Sequence, residues 1–178
     1  MYISDFQYSS PAMFTTELQR KVYEVLEILK IPFVRVSTDA AISMSDCKLI
    51  DEKLDMQMVK TLFLTNAQKS RFYLFVTCGQ KAFDSKAFSQ ALGCSRVSFA
   101  PTAFMEEKMG VTVGAATVFS KLLDDVDAVQ VVLDKDVVSN PWYGCSDGTT
   151  TGYMKLRTLD VVETFLDHIK HVPKVITV

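Results

Sequence analysis

Two apolar stretches, Lys60-Thr-Leu-Phe-Leu-Thr65 and Arg71-Phe-Tyr-Leu-Phe-Val-Thr77, decide the fold of this chain. Both are short, rich in β-branched and aromatic residues, and nearly continuous in hydrophobicity, which is typical of central strands covered on both faces. A polar stretch, residues 66–70, joins them. The sequence therefore predicts two connected strands at the centre of a sheet.

Helices and shorter strands are predicted on both sides of this pair. A capping-box pattern, Thr16 with Gln19, precedes the first helix, which ends at Ile31-Pro32. Further helices are predicted to begin near Ser45, Asp84, Pro101 and Thr158. The last helix carries an apolar stripe made of Leu159, Val162, Phe165, Leu166 and Ile169. Further strands are predicted at Phe33–Val36, Arg96–Phe99 and Val129–Leu133, and one ending at Leu156 after a loop, Asn140–Gly152.

This mixture of elements predicts an α/β or α+β fold around one mixed sheet. No segment is long enough to serve as an internal linker, so residues 1–178 are predicted to form a single domain.

The composition excludes several classes of protein. The 178 residues carry 19 Lys and Arg against 21 Asp and Glu, and 48% of them are hydrophobic. These values exclude a disordered chain and argue against a strongly basic, non-specific nucleic-acid binder. The sequence starts without a signal-peptide pattern, and no apolar run reaches the roughly 18 residues of a membrane helix. Because the four cysteines are scattered, we expect a reduced, cytoplasmic protein.

Few residues point directly to chemistry. Lys60, at the start of the first apolar strand, is either a solvated strand-end residue or an ammonium that holds an anion or a polarised carbonyl. Gly110–Gly114 matches neither phosphate-binding nor dinucleotide-binding loops and is favoured as a flexible turn. No GxSxG motif is present, and both histidines, His168 and His171, lie in the last helix, so a Ser/His or Cys/His nucleophile is not predicted. No metal or other cofactor is predicted.

Taken together, several segments resemble the YbaK/prolyl-tRNA-synthetase-associated aminoacyl-tRNA editing domains, in particular the freestanding prolyl-tRNA deacylase (PrdX-like) branch. The order and spacing of the segments carry this resemblance, which runs nearly from end to end. The segments are Gln19–Lys30, Asp39–Cys47, Val59–Leu64, Asn66–Leu74, Ser95–Ala100, Gly110–Gly114, Tyr143–Cys145 and Lys155–Asp160.

The resemblance implies an α+β fold with a single mixed, partly barrel-like sheet flanked by helices. It also implies hydrolysis of a mischarged tRNA, with tRNA-Pro carrying alanine or another small residue as the expected substrate. The implied partners are the acceptor end of the tRNA and a prolyl-tRNA synthetase. Lys60 matches the family's key catalytic lysine, and the glycine-rich loop that lines the family's pocket places Gly110, Val111, Thr112, Gly114 and Ala115 there.

The chain departs from the family pattern on the closing strand. Ser146-Asp147 stand where the family has His-Pro, and Thr150-Thr151 stand where it has Asn-Thr. We assign these four residues to the pocket, and we assign weak tRNA binding to four basic residues expected to border it, namely Lys69, Arg71, Lys155 and Arg157. Two hypotheses follow. The chain is either a trans-acting aminoacyl-tRNA deacylase or a catalytically weak member that binds tRNA or a synthetase.

Overall fold

The computed structural model describes residues 1–41, 43–124 and 127–178. Its α-helices are α1 (Glu17–Ile28), α2 (Met44–Leu54), α3 (Ser85–Leu92), α4 (Thr102–Met109), α5 (Lys135–Ser139) and α6 (Leu166–His168). Its strands are β1 (Val34–Ser37), β2 (Val59–Asn66), β3 (Phe72–Cys78), β4 (Val97–Phe99), β5 (Val129–Asp134), β6 (Trp142–Ser146), β7 (Gly152–Arg157) and β8 (Lys174–Ile176). A 3₁₀ helix covers Val118–Leu123, and a π-helical segment, Asp160–Phe165, leads into α6.

The two apolar stretches form the predicted central strands, β2 and β3. They pair antiparallel in a five-stranded sheet of order β4-β2-β3-β5-β8, in which β5 runs parallel to β3 and β8 runs parallel to β5. A three-stranded antiparallel sheet of order β1-β7-β6 lies beside it, and a parallel β-bridge between Met58 and Gly144 links the two. The predicted mixed α/β architecture with flanking helices is confirmed. Its described strands form two sheets where one was expected, and they do not close into a barrel.

Strand β3 is continuously apolar because both of its faces are buried. Phe72, Leu74 and Val76 pack into a core cluster that includes α1 and the C-terminal helical segment. Tyr73 and Phe75, on the opposite face, pack with Phe88 of α3 and Ile176 of β8 in a second cluster. Burial on both faces removes the alternation of apolar and polar residues that a half-exposed strand shows.

The predicted helix starts are confirmed at α1 and α3 and are shifted at α2. The Thr16 hydroxyl accepts from the Gln19 amide at 3.0 Å, and Asp84 caps α3. Helix α2 is capped by Ser43 instead of Ser45, because Ser43 and Asp46 complete a reciprocal capping box, with N–H to side-chain oxygen distances of 3.1 and 3.2 Å. Ile42, within the Asp39–Cys47 segment, lies outside the described residues.

The structure corrects the sequence-based assignment at two places, the C-terminal helix and the loop before β7. The Thr158 hydroxyl is buried without a hydrogen-bond partner among the described residues, so it does not cap the helix. A π-helical turn holds more residues than an α-turn and therefore changes which residues face the core. Val161, Phe165 and Leu166 are buried, whereas Leu159 is 59% exposed. The predicted loop Asn140–Gly152 contains strand β6. The sequence did not indicate this strand because glycine, here in Tyr143-Gly-Cys145, is unfavourable in strand interiors.

A buried carboxylate joins the β6–β7 turn to α1. Asp147 is 1% exposed, and its Oδ2 atom accepts from Gln19 Nε2 at 2.8 Å and from the Tyr23 hydroxyl at 2.9 Å. Its Oδ1 atom accepts from the amide of Thr149 at 3.2 Å and from the hydroxyl of the same residue at 2.7 Å. Gly152 has no Cβ atom, and one added there would overlap this carboxylate.

We expect Asp147→Ala to lower the free energy of unfolding by about 3 kcal/mol, because it leaves the buried donors of Gln19 and Tyr23 without an acceptor. Urea unfolding of both proteins measures this difference. Asp167→Ala, on the exposed side of α6, is the matched control and should change stability by no more than roughly 0.5 kcal/mol. Equal transition midpoints for the two variants would contradict a structural role for Asp147.

Candidate functional site

A cavity of about 870 Å³ opens between the two sheets. Its walls come from α2, the first half of β2, the segment after α4, and β6. Most lining side chains are apolar, including Met56, Met58, Phe63, Met105 and Tyr153. This volume falls in the range of cavities that bind small organic ligands or nucleosides.

The cavity lies where one side of β2 has no partner strand among the described residues. Strand β4 pairs with β2 only over Leu64–Asn66, so residues 59–62 form an open edge. On that side the carbonyl of Phe63 accepts from the Ala100 amide at 2.9 Å. Backbone groups alternate in direction along a strand, so the N–H and C=O of Thr61, two residues earlier, also point away from β3 and toward the cavity.

Lys60 lines this cavity, as the resemblance implies. Its ammonium donates to the carbonyl oxygen of Lys81, and partial burial lowers its pKa. The Lys81 ammonium is itself held by Asp134 and Asp136, each at 2.8 Å. Because the buried Asp134 carboxylate also accepts from Thr77 at 2.7 Å, the turn that carries the Lys60 acceptor is fixed to β3 and β5.

The glycine-rich segment, residues 110–114, contributes fewer residues to the cavity lining than the resemblance implies. Val113 and Gly114, at the end of this loop, line the cavity. Gly110 instead ends α4 with a φ of +62°, and a Cβ atom there would overlap Leu123, so this glycine is required by the fold. Val111 and Ala115 are buried in the core, and Thr112 is exposed and does not line the cavity.

Of the four residues assigned to the pocket near the closing strand, some line the cavity and others do not. Ser146 lines the cavity, and its hydroxyl donates to the carbonyl of Ala115 at 3.3 Å. Asp147 does not line the cavity: its Oδ2 accepts from Gln19 and Tyr23 of α1, and its Oδ1 accepts from Thr149 in its own turn. Thr150 and Thr151 also lie outside the cavity lining, and their carbonyls accept from the amides of Ala41 and Thr38, both at 2.8 Å.

The four basic residues assigned to tRNA do not form one patch beside the cavity. Lys69 and Arg71 lie in or beside the β2–β3 turn, about 20 Å along the strands from Lys60. Lys155 donates to the carbonyls of Leu54 and Asp55 at 2.9 and 2.7 Å, which occupies its ammonium at the end of α2.

Arg157 is engaged as well, since its guanidinium pairs with Asp160 at 2.8 and 2.9 Å. Sequence spacing could not reveal the acceptors of Lys155, because they are backbone carbonyls 101 and 100 residues earlier in the chain. The Arg157–Asp160 pair is different, since a separation of three residues is readable from the sequence.

One face of α2 forms a wall that the sequence analysis missed. Cys47, Asp51 and Asp55 follow each other at intervals of four residues and all line the cavity. Asp51 Oδ1 accepts from the Met58 amide at 2.8 Å, and burial raises the pKa of this carboxyl to about 6. The i, i+4 spacing of Cys47 and Asp51 was the available signal, since it places these two side chains on one helix face, whereas Asp55 follows the end of α2 in the left-handed conformation.

In the described part of the chain, the His, Cys, Asp and Glu residues form no group of three or more that could hold a metal ion. None of its helices has the length and apolar character needed to cross a membrane.

Comparisons with known proteins agree on one family. A model of the aminoacyl-tRNA editing domain matches residues 47–164. Prolyl-tRNA editing protein ProX of Acetoanaerobium sticklandii is 29% identical over 122 residues, which are 68% of this chain and 74% of that protein.

Two solved structures share the fold. The hypothetical protein APE2540 superposes with a TM-score of 0.69 at 15% identity, covering 88% of this chain and 98% of that one. A candidate trans-editing enzyme for prolyl-tRNA synthetase superposes with a TM-score of 0.67 at 16% identity, covering 93% of this chain and 99% of that one. At these identities the superpositions establish the fold alone.

We expect Asp51→Asn to stabilise the protein near pH 7.5 and to lose that advantage near pH 4. The folded-state pKa of about 6 exceeds the ordinary value of 3.8, so the folded state binds more protons between these values. The Asp51 carboxyl therefore lowers the free energy of unfolding, and it does so more strongly as the pH rises through this interval. Asn keeps the acceptor for the Met58 amide and removes the charge. Allowing for partial solvent screening, the gain should be about 1 kcal/mol at pH 7.5.

Urea unfolding at both pH values measures this gain. Asp167→Asn is the control for loss of an exposed charge. A gain of equal size at pH 4 and pH 7.5 would show that desolvation of the Asp51 carboxylate is not its cause.

Proposed function

Because this chain belongs to the aminoacyl-tRNA editing domain family, we propose that it is a trans-acting aminoacyl-tRNA deacylase that hydrolyses the ester of a mischarged tRNA. The proposed substrate is tRNA-Pro carrying alanine or another small residue. The name of the relative ProX, a prolyl-tRNA editing protein, supports this choice of tRNA. The proposed partners are the acceptor end of the tRNA and a prolyl-tRNA synthetase. Residues 1–178 act as one editing domain in this proposal, supported by the pairing of β1 with β7 and of β5 with β8.

The position of Lys60 is the observation that carries the proposal. An ammonium on the wall of a cavity can stabilise negative charge that develops on an ester carbonyl, or it can bind the adjacent phosphate. Water attacks the carbonyl carbon, the bond to the ribose oxygen breaks, and the products are the free amino acid and a tRNA with its terminal hydroxyl restored. An aminoacyl ester is already reactive, so positioning and electrostatic stabilisation supply much of the required acceleration.

The open edge of β2 adds donors that do not depend on side-chain identity. The N–H of Thr61 points away from β3 and toward the cavity that this residue lines, whereas the Ser146 hydroxyl, which also lines the cavity, already donates to the carbonyl of Ala115. Fixed donors of this kind lose little free energy to reorganisation during the reaction. Ser146 stands where the family has a histidine, and its shorter side chain leaves more of the cavity free for the aminoacyl group.

The cavity is large enough to receive the terminal nucleoside together with the amino acid. Editing of this kind is needed because a synthetase pocket distinguishes side chains that differ by one methylene by only about 1–3 kcal/mol. A second site with its own size limit then removes the misacylated product.

We expect Lys60→Ala to lower the single-turnover rate of alanyl-tRNA-Pro hydrolysis by at least roughly 100-fold, which is the usual loss for a removed electrostatic donor. Thermal unfolding should change little, since a partly exposed strand-end lysine contributes little to stability. Lys174→Ala, on the opposite edge strand β8, is the matched control and should retain the wild-type rate.

A folded Lys60→Ala protein with wild-type turnover would remove this lysine from the mechanism. A wild-type protein that binds a panel of mischarged tRNAs but hydrolyses none of them would favour the binding-protein hypothesis over the deacylase.

A further inference from the structure

We propose that Asp51 binds the α-ammonium group of the aminoacyl ester and thereby makes the site selective for tRNA carrying a free amino acid over tRNA whose amino group is acylated. This inference rests on the proposed function, because it concerns how the same cavity recognises its substrate. Asp51 would act in binding and specificity, and Lys60 would act on the ester.

The local structure holds the Asp51 carboxylate in a defined orientation. One oxygen, Oδ1, accepts from the Met58 amide at 2.8 Å, which connects the last turns of α2 to the start of β2. No partner for Oδ2 is found among the described residues, and the side chain lines the cavity. A half-buried carboxylate with one oxygen fixed and one oxygen free is suited to accept a hydrogen bond from a cationic ligand.

The charges in the cavity match those of an aminoacyl ester. The substrate carries a cation at its α-nitrogen and negative charge at the developing oxyanion and the adjacent phosphate. Asp51 supplies the anion on the α2 wall, and Lys60 supplies a cation on the β2 wall. The other charged residues that line the cavity, Lys48, Glu52 and Asp55, are exposed, so solvent screens them more strongly than it screens Asp51.

The desolvation of Asp51 supports the same assignment. Burial raises the pKa of this carboxyl, which means that the folded protein keeps an anion in a place where it is unfavourable. A cationic ligand group would offset that cost. Strained or desolvated charges of this kind concentrate at binding and catalytic sites.

A requirement for a free amino group has a functional consequence. A deacylase that acts in trans meets peptidyl-tRNA, whose α-nitrogen is an uncharged amide, as well as aminoacyl-tRNA. A site built to bind a polar group discriminates strongly against a ligand that lacks it, because the group in the protein is then left without a partner. Asp51 would therefore protect N-acylated tRNA from hydrolysis.

The experiment compares wild type, Asp51→Asn and Asp167→Asn on two substrates, alanyl-tRNA-Pro and N-acetyl-alanyl-tRNA-Pro. We expect the wild type and the control to hydrolyse the free-amine substrate at least 100-fold faster in single turnover. We expect Asp51→Asn to reduce this preference at least tenfold by slowing only the free-amine reaction. Asn retains the acceptor for Met58, and thermal unfolding checks that the variant is folded.

Three results would overturn the inference. An equal loss of rate on both substrates would make Asp51 a general base or a structural residue instead of an ammonium-binding one. No loss on either substrate, or a wild type without preference between them, would remove it from recognition.

A binding measurement separates failure of this inference from failure of the proposed function. The probes are amide-linked alanyl-adenosine, which cannot be hydrolysed as an ester, and its N-acetyl derivative. Calorimetry should show at least tenfold weaker binding of the free-amine probe to Asp51→Asn, with the N-acetyl probe unchanged. This result would support the inference even if neither tRNA ester is hydrolysed, whereas unchanged binding of both probes would overturn it.

Discussion

The unequal pairing of β2 is the constraint on which the candidate site depends. Strand β3 pairs with β2 along almost its whole length, whereas β4 covers the other side only over Leu64–Asn66. The uncovered half places backbone groups and Lys60 beside the second sheet, and the two sheets are held close by a buried core cluster in which residues of β6 and β7 pack with residues of β2 and β3. A fully paired strand would have filled the cavity with another strand or with core side chains.

Two aspartates illustrate how the surroundings of a carboxylate decide its use. Asp147 has both oxygens occupied by donors from α1 and its own turn, and it contributes to the docking of the β6–β7 hairpin. Asp51 has one oxygen occupied and carries a raised pKa at the wall of the cavity. The satisfied group stabilises the fold, whereas the incompletely satisfied group costs stability and remains available to a ligand.

The same comparison explains one departure from the family pattern. The resemblance places Ser146-Asp147 where the family has His-Pro, and in the structure Ser146 lines the cavity whereas Asp147 does not. The aspartate replaces a proline, which has no side-chain acceptor, and it supplies the acceptor that Gln19 and Tyr23 require. The exchange therefore alters the contact between the hairpin and α1 at least as much as it alters the cavity.

The sequence by itself determined the central strands, the caps of α1 and α3, the mixed architecture and the family, because strand hydrophobicity, capping pairs and ordered motifs are local or linear properties. Only the tertiary structure decided which residues share the cavity. Lys60, Gly114 and Ser146 line it, whereas Asp147 and Lys155 are engaged by partners distant along the chain and Arg157 is engaged by the nearby Asp160. Asp51 joins the site because the pairing of the strands brings α2 against the open edge of β2. Whether a polar side chain is free or occupied depends on the donors and acceptors that distant segments bring to it, and spacing along the chain does not contain that information.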